Sequence, residues 1–489
     1  MISEYRRNFI ITQVIFFICA LLYTISIKDT KVPNTFVLVY SIWNIVSYIY
    51  IFFKEMKYAP DFHPYQFLLL SSIQFIGFNG LDMYFKLEAS EVIRFGIYTI
   101  NDLIYLGILF LSAQHIILFG VFYFLEERYT DSDYNYSISD KIINYDRNYY
   151  KFAIRIYIFV WSLRLIALFF PLASISSILV NITTYGQLLT LFLLVFSDAK
   201  GETPNAIKLH WIIVVLEIFI VLGNGMKEDI IRNLIPYCVS FVILYKGGYK
   251  TVNTRVVFKF IAIASFIVLF VFPYVSILRT LSSQKHVTWK EMSLTEVLSE
   301  YSKYMLNEGE YAYDDDDRSV GYIMSRAGSI GSNAWAIDYT QNHGTVPQYF
   351  YYNLIAVIPR IIWPSKPQIV TGGMVANLIR GESNWLNPNN VYEGSGSFSL
   401  GFIGPCYLCF GPFGAFIVVF LLACFLWFVW HTIKESITYN IISLWTFISM
   451  IFIIMKDFES FQDCGIIYVT TNIVYLIMIH YYNKRLSYD

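Results

Sequence analysis

The 489-residue sequence is 56% hydrophobic and 19% aromatic, and only 15% of its residues are charged. Soluble domains contain about a quarter charged residues, so this composition excludes an ordinary soluble enzyme and predicts a membrane protein. The formal net charge of −1 gives no sign of a nucleic-acid partner. No P-loop or dinucleotide-binding glycine motif is present in the sequence, which argues against nucleotide chemistry.

Apolar runs long enough to cross a bilayer as helices recur along the whole chain. The first, in "MISEYRRNFIITQVIFFICALLYTISI", resembles a signal peptide but is too long and lacks a small-residue cleavage site, so we expect it to be retained. We predict an all-α polytopic membrane protein with about twelve transmembrane helices. These lie near 9–27, 35–53, 65–85, 102–125, 152–171, 174–197, 208–223, 230–245, 256–278, 411–430, 438–455 and 465–480.

The charge of the connecting segments predicts the orientation. With the N-terminus inside, the short inner segments, which include Arg6, hold more than twice as many Lys and Arg residues as the short outer ones. The positive-inside rule therefore places both termini in the cytoplasm. The chain is thus divided into a membrane bundle of nine spans (1–278), a large external loop (279–400) and three C-terminal spans (401–489).

Charged side chains inside spans are costly and are usually functional or paired. Arg164 and Glu217 both fall in the outer halves of their spans, so we expect either a functional arginine or a structural pair between the two. Asn79 and Asp82 in the third span are predicted to serve helix packing, as is His115 in the fourth.

Further cations lie on the predicted outer side. Lys227 and Arg232 flank the turn "GNGMKEDIIR", and Arg279 ends the ninth span. Arginines at an outer interface suit a ligand with a phosphate head and a lipid tail, because a guanidinium group binds phosphate oxygens in pairs. Arg164, Lys227 and Arg232 are therefore candidate substrate-binding residues. Equally, Lys227 and Arg232 could be solvated, and Arg279 could contact headgroups.

The external loop holds two segments that we predict to be membrane-associated. In "MSLTEVLSEYSKYML", Ser293 and Glu296 form a capping-box pattern before apolar residues at helical spacing, which predicts an amphipathic helix on the outer membrane surface. From Val346 to Trp363 the chain is apolar again, but Pro347 and Pro359 would interrupt a spanning helix. We therefore predict a re-entrant or interfacial segment there.

The stretch "IPRIIWPSKP" sets two cations among apolar residues and prolines. The prolines would hold Arg360 and Lys366 at a fixed height, where both could face a lipid diphosphate. Alternatively, Arg360 pairs with phospholipid headgroups and Trp363 anchors the interface.

No metal site is predicted. Cys406 and Cys409 form a CxxC pattern, but no second cysteine pair or histidine cluster accompanies it, so packing is the expected role. The acidic run Asp314 to Asp317 lacks the spaced oxygen ligands of a calcium loop.

Around "IPRIIWPSKP" the chain resembles the O-antigen or oligosaccharide repeat-unit polymerases of the Wzy type, which act in bacterial polysaccharide assembly. Those proteins combine a many-span bundle with one large external loop, which commonly ends in a segment like "IPRIIWPSKP". A glycine-punctuated stretch follows, here "GSGSFSLGFIGPCYLCFGPFGAF". The layout matches over the whole chain, and the sequence resemblance is concentrated between Arg326 and Gly414. Lys227 departs from the pattern, because relatives often have an arginine in that turn.

The resemblance implies a glycosyltransferase of the bacterial inner membrane that needs neither metal nor cofactor. It would move a glycan from its undecaprenyl diphosphate carrier to a sugar hydroxyl of a second lipid-linked repeat unit. Membrane lipids and a chain-length regulator protein would be further partners, and no nucleic acid would be bound. On the family pattern Arg360 and Lys366 bind the lipid diphosphates, and Arg279 and Arg326 match that role less closely.

Such a transfer requires cations that stabilise the departing diphosphate and an oriented acceptor hydroxyl. His343, Asp338 and Glu393 are candidate general bases, although each could also be a hydrogen-bonding loop residue. Tyr339 and Trp335 could stack on sugar faces or anchor the membrane interface.

Three other functions compete with this hypothesis. An O-antigen ligase would share the layout and the mechanism. A lipid-linked oligosaccharide flippase would need internal repeats and a central charged cavity, neither of which the sequence indicates. A sensor or structural membrane protein would explain the length of the loop but not the external arginines on several spans.

Overall fold

The computed structural model describes most of the chain in continuous stretches. These are residues 2–27, 32–59, 62–95, 98–129, 138–144, 148–169, 176–222, 232–250, 292–305, 330–358 and 403–436, with single residues and short pieces between 262 and 281 and between 363 and 451. Two compact units form. Unit 1 comprises residues 1–135, 166–182 and 323–489, and unit 2 comprises residues 136–165 and 183–322.

Helices dominate the described residues, as predicted for an all-α protein. In chain order they are α1 (Ile2–Ser26), α2 (Asn34–Tyr58), α3 (Tyr65–Ser72), a π-helical segment (Ile73–Phe78), α4 (Asn79–Glu88), α5 (Ile104–Tyr129), α6 (Ile138–Ile143), α7 (Tyr149–Phe169), α8 (Ser176–Ala199), α9 (Ala206–Leu222), α10 (Ile235–Lys246), α11 (Leu294–Met305), α12 (Ile330–His343), α13 (Pro347–Val357) and α14 (Ile403–Ser436). A short antiparallel pair, β1 (Arg94–Phe95) and β2 (Tyr98–Thr99), precedes α5.

Five stretches of the described chain are helical, long and apolar enough to cross a membrane. They are Ile2–Ser26, Asn34–Tyr58, Asn101–Arg128, Ile182–Ala199 and Ile403–Ile433. These helices indicate a membrane protein. The prediction of about twelve spans is finer than these five helices show. Helix α9 has 17 described residues up to Leu222, where the described stretch ends, and α10, with 12 residues, is a shorter apolar helix. The predicted spans near 438–455 and 465–480 lie largely or wholly outside the described residues.

Unit 1 joins the first helices of the chain to its C-terminal part. There α12, α5 and α14 pack against one another, and the contact of α12 with α5 is close. A Cβ atom at Gly107 of α5 would collide with the carbonyl oxygen of Ile330, so only glycine permits this approach. The N-terminal half of α12, residues 332–337, is buried. A segment that we predicted as part of an external loop is therefore part of the packed core of this unit.

Helix α14 bends near its start. Gly411 has a φ of 67°, a left-handed conformation that favours glycine, and Pro412 removes one helical hydrogen-bond donor. The piece before the bend holds the Val346 amide, which donates to the Leu408 carbonyl at 2.8 Å. Cys406 and Cys409 are buried in the same piece.

The segment around Pro347 differs in one respect from its prediction. Pro347 does not interrupt a helix but begins α13. The backbone amide at the first helical position has no intrahelical acceptor, so a proline there costs no hydrogen bond. The helix ends at Val357 and, with 11 residues, is too short to cross a membrane. Tyr349 is buried, and Phe350 meets Phe410 of α14 with ring centroids 5.0 Å apart.

In unit 2, the predicted helix at Leu294–Met305 is confirmed as α11. Val297 is buried against Ile277, Leu278 and Leu281, and the Tyr301 hydroxyl donates to the Phe270 carbonyl at 3.1 Å. This helix therefore has one packed face. Its position on the outer membrane surface stays a prediction.

Candidate functional site

The predicted site residues divide between the described and the undescribed parts of the chain. Those outside the described residues are Lys227, Arg279, Arg326, Arg360, Lys366 and Glu393. Of the others, Arg164 and Arg232 belong to unit 2, whereas Asp338, Tyr339 and His343 lie on α12 of unit 1. Each group is described by itself.

The pair between Arg164 and Glu217, one of the two alternatives that the sequence left open, is present. Nη1 of Arg164 on α7 donates to Oε1 of Glu217 on α9 at 2.7 Å. The Glu217 side chain is 1% exposed and that of Arg164 is 24% exposed. A carboxylate so deeply buried needs a counter-charge, and the arginine supplies it.

Two amide side chains extend this contact. Nη2 of Arg164 donates to Oε1 of Gln187 on α8 at 2.5 Å, and Nε2 of Gln187 donates to Oδ1 of Asn233 at 2.5 Å. Asn233 follows Arg232, which is the first residue of the described stretch 232–250 that contains α10. These hydrogen bonds therefore connect α7, α8 and α9 to Asn233, the residue next to the predicted cation Arg232 in the sequence.

Aromatic side chains border the Arg164 guanidinium. The Trp161 ring centroid lies 5.3 Å from its central carbon, and the Tyr157 hydroxyl donates to Glu217 at 3.4 Å. The Arg164–Glu217 pair is formally neutral. Because a guanidinium group has five N–H donors, and two of its nitrogens are engaged as described, Arg164 retains capacity for a further acceptor at its exposed edge.

On α12 an aromatic column runs from the core of unit 1 to its surface. The ring centroids of Tyr98 and Trp335 are 6.1 Å apart, those of Trp335 and Tyr339 5.4 Å, and those of Tyr339 and His343 4.4 Å. Trp335 is fully buried, whereas His343 is exposed. The last two rings are nearly parallel, at 15°.

Hydrogen bonds define what this column can do chemically. Nδ1 of His343 is 3.2 Å from the Tyr339 carbonyl, which can only accept, so Nδ1 donates and Nε2 is the proton acceptor. Partial burial, with the nearby Tyr98, raises the pKa of the Tyr339 hydroxyl, which therefore remains a donor at neutral pH. The Asp338 carboxylate accepts from Nδ2 of Asn342 at 3.0 Å.

The sequence did not indicate several of these residues. Gln187 and Asn233 are ordinary polar residues in or beside apolar runs, and Trp335 was considered only as a possible stacking residue or interface anchor. A polar amide in mid-span was the available signal for Gln187. Within the described residues, no group of three or more His, Cys, Asp and Glu side chains is placed to hold a metal ion.

Comparisons with known proteins relate the chain to one family. No curated protein and no solved structure matches it. Residues 131–482, well over half of the chain, match the family model described as a domain of unknown function, DUF8712. The protein therefore belongs to the DUF8712 family.

Proposed function

We propose that the protein is an integral-membrane glycosyltransferase of the Wzy type, which polymerises undecaprenyl-diphosphate-linked oligosaccharide repeat units into O-antigen, capsule or exopolysaccharide. It would act at the outer face of the bacterial inner membrane, in a bundle of about twelve spans with both termini in the cytoplasm. The sequence resemblance between Arg326 and Gly414 is the starting point of this proposal.

The aromatic column on α12 is the observation that supports the proposal most. Its rings extend outward from a fully buried tryptophan to the exposed imidazole of His343, and flat aromatic faces suit the apolar faces of sugar rings. Beside them stand the Asp338 carboxylate and the imidazole, both able to accept a proton or orient a hydroxyl. Side chains suited to sugar stacking and to general-base chemistry are thus present on one helix.

The proposed reaction follows from these groups. Nε2 of His343 accepts the proton of the acceptor hydroxyl, whose oxygen forms a bond to the anomeric carbon of the donor glycan. The bond from that carbon to the carrier diphosphate breaks, and the diphosphate departs with the electron pair. Arg360 and Lys366 would neutralise the developing negative charge, with Arg279 and Arg326 as further candidates.

Arg164 has a different part in this proposal. Because Glu217 neutralises it, Arg164 adds little net charge, but its fixed position and partial exposure suit one directed hydrogen bond to a lipid headgroup phosphate. Lys227 and Arg232, which follow Glu217 in the sequence, would supply net positive charge.

A reconstitution assay tests this function. The full-length protein is purified in detergent and incubated with a chemically defined undecaprenyl-diphosphate-linked repeat unit as the only substrate. We expect a ladder of longer lipid-linked glycans. Product that forms only after lipid A core is added would establish a ligase instead. Movement of a fluorescent lipid-linked sugar across liposomes without any ladder would establish a flippase.

A further inference from the structure

The buried face of α2 in unit 1 is mainly polar. Buried side chains recur along one side of the helix, and five of them are polar: Tyr40, Ser41, Asn44, Tyr48 and Glu55. The opposite side is apolar and exposed, with Val39, Val46 and Phe53. Ionisable side chains within membrane helices usually face the interior of the bundle and mark pathways for ions or protons, whereas hydroxyl and amide side chains also serve helix packing. We call these five residues, with Ser72, Asn79, Ser112 and His115, the polar seam.

The elements opposite α2 continue the seam. Ser72 ends α3, and the π-helical segment that follows connects it to Asn79 at the start of α4. A Cβ atom at Gly80 would collide with the Ser41 hydroxyl, so α4 and α2 are in close contact at this level. Single π-helical turns within α-helices occur frequently at functional sites.

One ring contact shows how α5 faces α2: the Phe119 ring centroid lies 5.8 Å from that of Tyr48. His115 is one turn from Phe119 on α5, and Asn44 is one turn from Tyr48 on α2. The two side chains are therefore at the same level of the bundle.

Both side chains present a hydrogen-bond acceptor at this level. Nδ1 of His115 donates to the Leu111 carbonyl at 2.8 Å, which leaves Nε2 as an acceptor in the neutral ring. Nδ2 of Asn44 donates to the Tyr40 carbonyl at 2.7 Å, which leaves Oδ1 as an acceptor. Within the described chain, both remaining atoms are buried and have no hydrogen-bond partner. Two such acceptors require a donor, either a water molecule or an added proton.

Titratable groups lie at both ends of the seam. Toward the predicted cytoplasmic end, Glu55 accepts two hydrogen bonds from Arg6, at 2.5 and 2.8 Å. Toward the other end, the Asp82 carboxylate lies 3.7 Å from Nζ of Lys86. Hydroxyl, amide and imidazole groups thus lie between carboxylates on the two sides of unit 1, and the buried side chain of Ile51 interrupts the polar series between Tyr48 and Glu55.

We propose that the polar seam binds water between His115 and Asn44 and conducts protons across unit 1. A proton arriving from the water on one side binds to Nε2 of His115 and leaves from the same atom to the water on the other side, while the Nδ1 proton stays on the ring and is donated to the Leu111 carbonyl. The ion pairs at both ends restrict entry, so transport is slow compared with an open channel. The seam precedes the family domain at residues 131–482 and does not rest on glycosyl transfer.

Proton flux into liposomes tests this proposal. The full-length protein is reconstituted into potassium-loaded vesicles that contain a pH-sensitive dye, and valinomycin then makes the interior negative. We expect initial acidification severalfold faster than in protein-free vesicles. His115→Leu and Asn44→Leu should reduce the rate to that of protein-free vesicles. Tyr48→Phe should reduce it, whereas Tyr50→Phe, the same change on the exposed side of α2, should not.

Two results would overturn the proposal. One is wild-type flux equal to that of protein-free vesicles. The other is full flux in a folded His115→Leu protein, judged by a single gel-filtration peak. If that variant aggregates, Asn44→Leu and Tyr48→Phe decide in its place, and full flux in both refutes the seam. A glycan ladder assay on the same preparations distinguishes a failure here from a failure of the proposed glycosyltransferase.

Discussion

Each unit of the protein contains an arginine paired with a buried glutamate on another helix, and the two pairs differ in how exposed the arginine is and in how many partners it has. In unit 1, Arg6 donates through two nitrogens to both oxygens of Glu55, and the two side chains are 10% and 0% exposed. In unit 2, Arg164 donates to Glu217 through one nitrogen and to the amide oxygen of Gln187 through another. Its side chain remains 24% exposed.

This difference separates a structural pair from a candidate binding group. The planar edge of Arg6 is occupied by one carboxylate, and its guanidinium lies 4.7 Å from the Tyr65 ring centroid, within the packed helices. Arg164 is held by one carboxylate and one amide, and its side chain remains partly exposed. We infer that removing the Arg6 pair chiefly affects stability, whereas removing Arg164 chiefly affects function.

The largest expected effect comes from breaking the pair in unit 1. Glu55→Ala leaves the buried Arg6 charge without its partner and should lower the free energy of unfolding by about 3–5 kcal/mol. Lys303→Ala, which removes an exposed ion pair with Glu300 on α11, should cost about 0–1 kcal/mol. Thermal unfolding in mild detergent measures both. Equal losses would show that Arg6 is solvated.

A smaller effect is expected in unit 2. Glu217→Leu should cost about 2–3 kcal/mol, because the exposed edge lets water compensate part of the Arg164 charge. Adding Arg164→Met should restore most of that stability, since an apolar pair replaces the ionic one. The glycan ladder should nevertheless be lost in the double variant. A stable double variant with full polymerisation would show that Arg164 does not bind the substrate.

The amide that holds Arg164 should contribute less. Gln187→Leu leaves Nη2 of Arg164 and the Asn233 amide without that partner, and should cost about 1–2 kcal/mol. Gln348→Leu, at an exposed position of α13, is the matched control and should change stability by less than about 0.5 kcal/mol. The same loss in both variants would mean that the Gln187 contacts are not formed in solution.

The smallest expected effect is on the pH dependence of stability. It arises from His63, whose pKa responds to the nearby Arg6 of unit 1. Burial, followed by the nearby Arg6, lowers the pKa of His63, although Glu126 and Glu55 oppose the shift. A lowered folded pKa favours the neutral ring, so its contribution to stability is present above the unfolded pKa of 6.5 and decreases as the pH falls below it. Thermal unfolding temperatures should fall from pH 7 to pH 5, and His63→Gln should reduce that fall. An unchanged pH dependence in this variant would contradict the assignment.

The sequence predicted local patterns better than buried contacts. The capping box and helical spacing correctly predicted α11, and the cost of intramembrane charge predicted the alternative of an Arg164–Glu217 pair. Arg6 was interpreted only as a positive charge on the cytoplasmic side, because charges near helix ends usually reach the interface. Its burial depends on Glu55 from a second helix, which a single-helix pattern does not show.

The burial of α12 was equally inaccessible to sequence reasoning. Its residues are small, polar and aromatic without a clear apolar stripe, so no periodicity distinguishes it from a loop. The start of α12 lies close to Gly107 of α5. This contact joins two segments that are far apart in the sequence, so a local pattern does not show it. The position of the predicted bases His343 and Asp338 on this helix therefore emerged only from the fold.

One measurement tests the proposed enzyme most directly. The rate of ladder formation from a single lipid-linked repeat unit is compared for the wild-type protein, His343→Ala and Gln348→Ala, all matched in gel-filtration profile and unfolding temperature. If His343 is the general base, its variant should be about 10²–10⁴-fold slower, whereas the variant at the exposed Gln348 of α13 should retain its rate. Equal rates in all three proteins, or no ladder from the wild type, would contradict the account.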